Sequence, residues 1–134
     1  MTPLEAMGAA LYWAEGTKVR VDKRGWTQYG PILTNTDPEL VKAYLTFLRS
    51  FGIDEKKLRI QLTLYPEHKK KKEINFWSGL TKIPQRQFTK IVAASGGGKR
   101  KKSLHGVCQV RYFDKNIHLK IEELISFFKK GFPE

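Results

Sequence analysis

Leu58-Arg59-Ile60-Gln61-Leu62-Thr63-Leu64-Tyr65 alternates apolar and polar residues without a break. Side chains of a β-strand point alternately to its two faces, so Leu58, Ile60, Leu62 and Leu64 share one face and Arg59, Gln61, Thr63 and Tyr65 the other. A strand of this kind is buried on one side only. It needs helices over its apolar face and other strands at its edges.

The flanking sequence supplies both. Upstream, Thr36-Asp37-Pro38-Glu39 carries a helix cap with proline at the first turn. Leu40, Val41, Tyr44, Leu45, Leu48 and Phe51 follow at helical spacing until Gly52. Further upstream, Thr17 to Asp22 and Tyr29 to Thr34 read as the two strands of a hairpin around Lys23-Arg24-Gly25, with Val19 and Val21 on one face of the first and Lys18, Arg20 and Asp22 on the other. Thr2-Pro3-Leu4-Glu5 has the form of a capping box, predicting a helix from Pro3 to Glu15 that Gly16 stops.

Downstream, Glu67 to Thr81 predicts a basic helix with an apolar end at Ile74, Phe76, Trp77 and Leu80, broken by Pro84. A short strand is expected within Phe88 to Ala93. Ser95-Gly96-Gly97-Gly98-Lys99-Arg100-Lys101-Lys102 lacks the side chains to enter a core and reads as a mobile basic loop. Gly106 to Phe113 alternates again, setting Cys108, Val110 and Tyr112 against Val107, Gln109 and Arg111. Asp114 then caps a closing helix carrying Ile117, Ile121, Leu124, Ile125 and Phe128, ended by Gly131. With no internal repeat or linker, residues 1–134 are expected to form a single α+β domain, its helices on one face of a largely antiparallel sheet.

Composition constrains the partner. The chain has 134 residues, 40% of them hydrophobic and 12% aromatic, enough for a real core. Its formal net charge is +12, from 25 Lys+Arg against 13 Asp+Glu, which makes a polyanion the natural partner and nucleic acid the first candidate. An acidic membrane is the weaker option, because the long apolar windows alternate with charges. The single cysteine, Cys108, excludes an internal disulfide and a cysteine-rich zinc site, and its place in an alternating strand reads as a buried, inert thiol. His68, His105 and His118 form no metal-ligand spacing. No signal peptide or membrane span is read, so a cytoplasmic compartment, or an organelle if the chain is encoded there, is expected.

The sheet face away from the helices then collects Lys18, Arg20, Arg59, Gln61, Thr63, Gln109 and Arg111. An ordinary solvated face is polar too. Here Arg and Gln outnumber acids on three strands, and these are side chains that reach phosphates and base edges. The runs Lys69 to Lys72 and Lys99-Arg100-Lys101-Lys102 suit flanking phosphate clamps.

Gly8-Ala9-Ala10-Leu11-Tyr12-Trp13-Ala14-Glu15-Gly16 adds a helix with a small-residue stripe, Ala10 and Ala14 one turn apart and Leu11 beside them, ending in one carboxylate. Such a stripe lets a second helix approach closely. If that helix is the same one in a second copy, a two-fold axis brings two Glu15 carboxylates together, and oxygen ligands with a cation between them suit Mg²⁺. A surface salt bridge from Glu15 to Lys18 is the alternative reading.

At these residues the chain resembles the LAGLIDADG homing endonuclease family. Aligned without gaps, Ala9, Leu11, Ala14 and Gly16 are identical to the nine-residue motif, Glu15 stands for its last acid, and Ala10 replaces its first glycine. The resemblance covers roughly residues 3 to 130 in element order, with Leu33 to Leu40 matching the second strand running into the second helix. Trp13 departs from the motif by replacing its earlier acid, and Glu67 to Ser95 looks like an insertion.

The resemblance implies a LAGLIDADG-endonuclease-like fold with DNA on the open sheet face. One motif copy implies a homodimer with Ala10, Leu11 and Ala14 at the interface. It further implies site-specific, Mg²⁺-dependent cleavage of double-stranded DNA, with Glu15 as the catalytic acid and Glu15 and Gly16 as metal ligands. Asn35 or Asp37, and one of the lysines, are the candidates for auxiliary roles. A DNA-binding protein that kept the scaffold without the chemistry, such as a transcriptional regulator, is the alternative. RNA binding as a splicing helper fits the charge as well, with Tyr65 the one clear stacking aromatic on the sheet.

Overall fold

The computed structural model describes residues 1–17, 20–21, 23–25, 27–28, 30–95 and 104–131, with positions 17, 20–21 and 27–28 described as backbone. Helix α1 (Pro3–Glu15) opens with the expected capping box: the Thr2 amide donates to Glu5 Oε1 at 2.9 Å, and the Glu5 amide donates to Thr2 Oγ1 at 3.1 Å. These bonds hold the Glu5 carboxyl below its ordinary range.

Gly16 ends α1 for a different reason from the one expected. Its φ of −77° and ψ of 152° are extended, so no left-handed turn stops the helix. The chain runs straight into β1 (Gly16–Thr17), and a Cβ at Gly16 would lie 2.3 Å from the Tyr12 ring. Glycine is needed there for clearance.

The hairpin that follows is present but divided. It comprises β2 (Arg20–Val21), β3 (Thr27–Gln28) and β4 (Ile32–Asn35). β1 pairs antiparallel with β4, Gly16 opposite Leu33, whereas β2 and β3 form a separate two-stranded ribbon, Arg20 opposite Gln28. Pro31, between β3 and β4, has no amide to donate to a continuous ladder.

Helix α2 (Pro38–Arg49) is capped by Asp37, whose Oδ1 accepts from the Glu39 amide at 2.9 Å. A short 3-10 turn (Glu55–Lys57) leads to β5 (Arg59–Leu64). Helix α3 (Lys70–Thr81) starts later than the basic run suggested. A turn occupies 65–68, where the Tyr65 amide donates to His68 Nδ1 at 3.0 Å and the His68 amide to the Tyr65 carbonyl at 3.0 Å. Then come β6 (Val92–Ala93), β7 (Val107–Arg111) and α4 (Lys115–Lys130), capped as expected by Asp114, which accepts from the Ile117 amide at 3.0 Å.

The main sheet has the order β1-β4-β7-β5-β6. Its pairs are antiparallel except β5 with β6, so the sheet is mixed rather than antiparallel throughout. The exception follows from α3. A helical crossover returns the chain in the direction it started, which places β6 parallel to β5.

One sheet face supplies Leu33, Ile60, Leu62, Leu64, Cys108 and Val110 to the core, where they meet Tyr12, Tyr44, Leu45, Phe47, Leu48, Trp77, Ile121 and Ile125. Burial along β5 and β7 alternates residue by residue, as the sequence pattern requires. Cys108 is buried, and desolvation pushes its thiol far above the ordinary range, which leaves it inert at neutral pH. α1 packs against both α2 and α4.

Gly8 permits the contact with α2: a Cβ there would lie 1.9 Å from the Phe47 ring. Gly79 in α3 is the opposite case, with nothing within 4 Å of an added Cβ. Gly8→Ala is therefore expected to destabilise the fold by about 1–3 kcal/mol through overpacking. Gly79→Ala is expected to stabilise it by about 1 kcal/mol through helix propensity. Urea denaturation of both variants checks the pair, and equal shifts would contradict the α1–α2 packing.

Candidate nucleic-acid interface and carboxylate site

The register of the central strands aligns the polar side chains expected on the open face. Thr34 of β4 lies opposite Gln109 of β7, and Gln109 opposite Gln61 of β5. Arg111 lies opposite Arg59, and Thr63 opposite Val107. Four of these side chains form one hydrogen-bonded ladder. Arg111 donates from Nε to Gln109 Oε1 and from Nη2 to Gln61 Oε1 at 2.6 Å, and Gln109 Nε2 donates to Thr34 Oγ1 at 3.1 Å.

No carboxylate pairs with Arg111 among the described residues. Among the described residues its side-chain partners are two glutamine amide oxygens, on a chain of net charge +12. Arg59 behaves differently: its Nη1 donates to the carbonyls of Lys56 at 2.6 Å and Leu58 at 2.8 Å, which ties the guanidinium to its own loop. Thr63 stands between Val92 and Val107, half-buried.

Thr34 was not among the expected face residues, although it lies two positions beyond Ile32 on an expected strand. Arg20 belongs to the β2–β3 ribbon, outside the main sheet, and its side chain is outside the described set. Lys18, Lys99, Arg100, Lys101 and Lys102 also lie outside the described residues. Lys69, Lys70, Lys71 and Lys72 are all exposed at the start of α3, a helix with no side-chain cap. The positive end of the helix dipole disfavours cations, so this run adds like charge to an end that is already positive.

The helical motif has two sides. Gly8, Ala9 and Tyr12 are buried toward α2 and α4. Met7, Ala10 and Ala14 are exposed at helical spacing on the side turned away, with Trp13 beside them. Leu11 is half-buried and packs against the core, so it borders the exposed stripe rather than lying within it.

Tyr12 anchors the buried side of α1 in the core. Its ring stacks on Tyr44 with centroids 6.5 Å apart, and its hydroxyl lies 3.5 Å from Nδ1 of the buried His118. Burial first, then the negative charge of Glu122, pushes its phenol up to about 12. Glu15, the last residue of α1, is exposed, and no described residue pairs with it. Gly16, beside it, is held in the β1–β4 pairing.

Asn35 and Asp37, the expected auxiliary candidates, each give one side-chain oxygen to the start of α2. Asn35 Oδ1 accepts from the Asp37 amide at 2.9 Å, and Asp37 caps α2. Among the described residues no group of three or more His, Cys, Asp or Glu is placed to hold a metal ion. None of the described helices is long and apolar enough to cross a membrane.

A pair absent from the sequence reading, a buried Glu73 and a half-buried His105, anchors the chain where it enters β7. Glu73 Oε2 lies 2.9 Å from His105 Nδ1, the Phe76 ring stacks on His105, and Trp77 Nε1 donates to the His105 carbonyl at 2.8 Å. Comparison of the chain with protein-family models, with characterised proteins and with solved structures finds no match in any of the three.

Asp37→Ala is expected to cost about 1 kcal/mol of stability through loss of the cap, read by urea denaturation. It should leave duplex binding in fluorescence anisotropy unchanged; a binding loss with stability intact would instead give Asp37 a role at the site.

Proposed function

We propose that the chain is a site-specific double-strand DNA endonuclease of the LAGLIDADG kind, acting as a homodimer. The observation that carries this reading is the division of α1. Its buried side anchors the helix in the core, its exposed side is a small apolar stripe, and its last residue is an exposed carboxylate at the edge of the sheet. A second copy packed on Ala10 and Ala14 about a two-fold axis brings the two Glu15 carboxylates together and makes one continuous surface of the two open sheet faces.

The donor chemistry fits a hard cation. A carboxylate and a backbone carbonyl are oxygen ligands, and Mg²⁺ takes few protein ligands and completes its shell with water and phosphate oxygens. Glu15 and the Gly16 carbonyl are the groups of this chain that would hold it. When bound, Mg²⁺ supplies electrostatic stabilisation of the pentavalent phosphate and lowers the pKa of water. The protein's own contribution is position: the open sheet face and the lysines of α3 hold the duplex so that a phosphodiester lies over the helix pair.

A second reading is a DNA-binding regulator on the same scaffold. The hydrogen bonds of Asn35 and Asp37 favour it, since each already gives a side-chain oxygen to a backbone amide at the start of α2.

Duplexes bound by the protein in Ca²⁺ are to be selected from a random library, and Mg²⁺ then added to the selected DNA with the parent and with Glu15→Gln. Cleavage within a palindromic consensus by the parent alone is the expected result. Selective binding with no cleavage by either protein would decide for the regulator.

A further inference from the structure

We propose that Arg111 reads a guanine in the major groove of the bound duplex and that Gln61 and Gln109 are its positioning residues. The inference rests on the DNA-binding reading above and adds the base that the centre of the sheet selects.

Hydrogen-bond logic fixes the orientation of both amides in the ladder. Arginine is a donor only, so both glutamines must turn their carbonyl oxygens toward it. Gln109 then has its Nε2 toward Thr34, whose hydroxyl oxygen accepts, and Gln61 is left with its Nε2 donors pointing away from Arg111. Arg111 is thus clamped on two sides through Nε and one Nη2 hydrogen.

A guanidinium carries five N–H donors, so those on Nη1 and the second on Nη2 remain without an acceptor among the described residues. The side chain is half-buried, its orientation is set by neighbours on both sides, and no carboxylate among the described residues answers its charge. A locked fork of unsatisfied donors is complementary to two adjacent acceptors.

In the major groove only guanine offers that pair, O6 with N7. Adenine sets a donor beside N7, cytosine offers a donor, and thymine a single acceptor with a methyl group. Phosphate also accepts two hydrogen bonds, but the placement of Arg111 argues against it. β7 is the middle strand of the order β1-β4-β7-β5-β6, and Arg59, the cation opposite Arg111, is turned to the carbonyls of its own loop. The lysine run that suits phosphates lies elsewhere, at the start of α3.

The test uses the wild-type protein first, so it does not depend on a variant folding. Each guanine of the consensus selected in Ca²⁺ is replaced singly by 7-deazaguanine, which removes the N7 acceptor. At one guanine per half-site the replacement is expected to weaken binding by about 5- to 150-fold. Arg111→Ala, with its fold checked by circular dichroism, should lose the preference for guanine at that position and become indifferent to the replacement there. A consensus in which no guanine is sensitive to loss of N7 overturns the assignment. So does a variant that weakens binding to all sequences alike with its consensus unchanged, which would make Arg111 a phosphate contact. Failure to select any duplex overturns the DNA-binding reading itself.

Discussion

The contact between Gly8 and the Phe47 ring sets how close α1 comes to α2, and through that distance it sets the rotation of α1 about its own axis. With Gly8 under the ring, Ala9 and Tyr12 fall into the core, and Tyr12 stacks on Tyr44 and reaches His118 of α4. The opposite side of the same helix is then left with Met7, Ala10 and Ala14 facing out. Glu15 is carried to the point where the helix becomes the edge strand β1. One steric allowance thus determines which residues of α1 are core, which are available to a second chain, and where its only carboxylate near the C-terminus stands. Glu15 lies at the negative end of the helix dipole, where a carboxylate is disfavoured, so the cation proposed at that end would also improve the electrostatics of the fold.

The sheet follows the same economy of two faces. Alternation along β5 and β7 buries Ile60, Leu62, Cys108 and Val110 and leaves Gln61, Gln109 and Arg111 on the other side. Three adjacent strands in register turn that alternation into a row, so the ladder from Thr34 to Arg111 needs no loop to hold it. Side chains organised by paired strands lose less entropy on binding than loop residues, because most of their rotamer freedom is already gone. The amide clamps on Arg111 extend this to the guanidinium itself.

Local signals were legible in the sequence. The Thr2–Glu5 capping box, the Asp114 cap and the alternation of residues 58–65 depend on neighbours within a few positions, and each falls where the pattern puts it. What escaped depends on distant partners. Glu73 and His105 are 32 residues apart and meet because α3 packs against the segment entering β7. Leu11 is half-buried against the core, a contact that helical spacing alone does not show. The parallel direction of β6 follows from the crossover through α3, and Gly16 is required by the Tyr12 ring rather than by its own dihedral angles. At the open face, residue types were legible from alternation, whereas the Arg111 ladder needed the register of three strands.

The pairing of two α1 helices is the step on which the rest of the functional reading depends, and cysteine cross-linking addresses it directly. Cys108 is buried and contributes no background thiol. Ala14→Cys, oxidised in the presence of the selected duplex, is expected to form a covalent dimer, because close helix packing brings the Cα atoms within disulfide range. Lys120→Cys, on the exposed side of α4, is expected to stay monomeric under the same conditions. Equal cross-linking at both positions, or none at Ala14→Cys while the duplex remains bound, would contradict a dimer built on this helix.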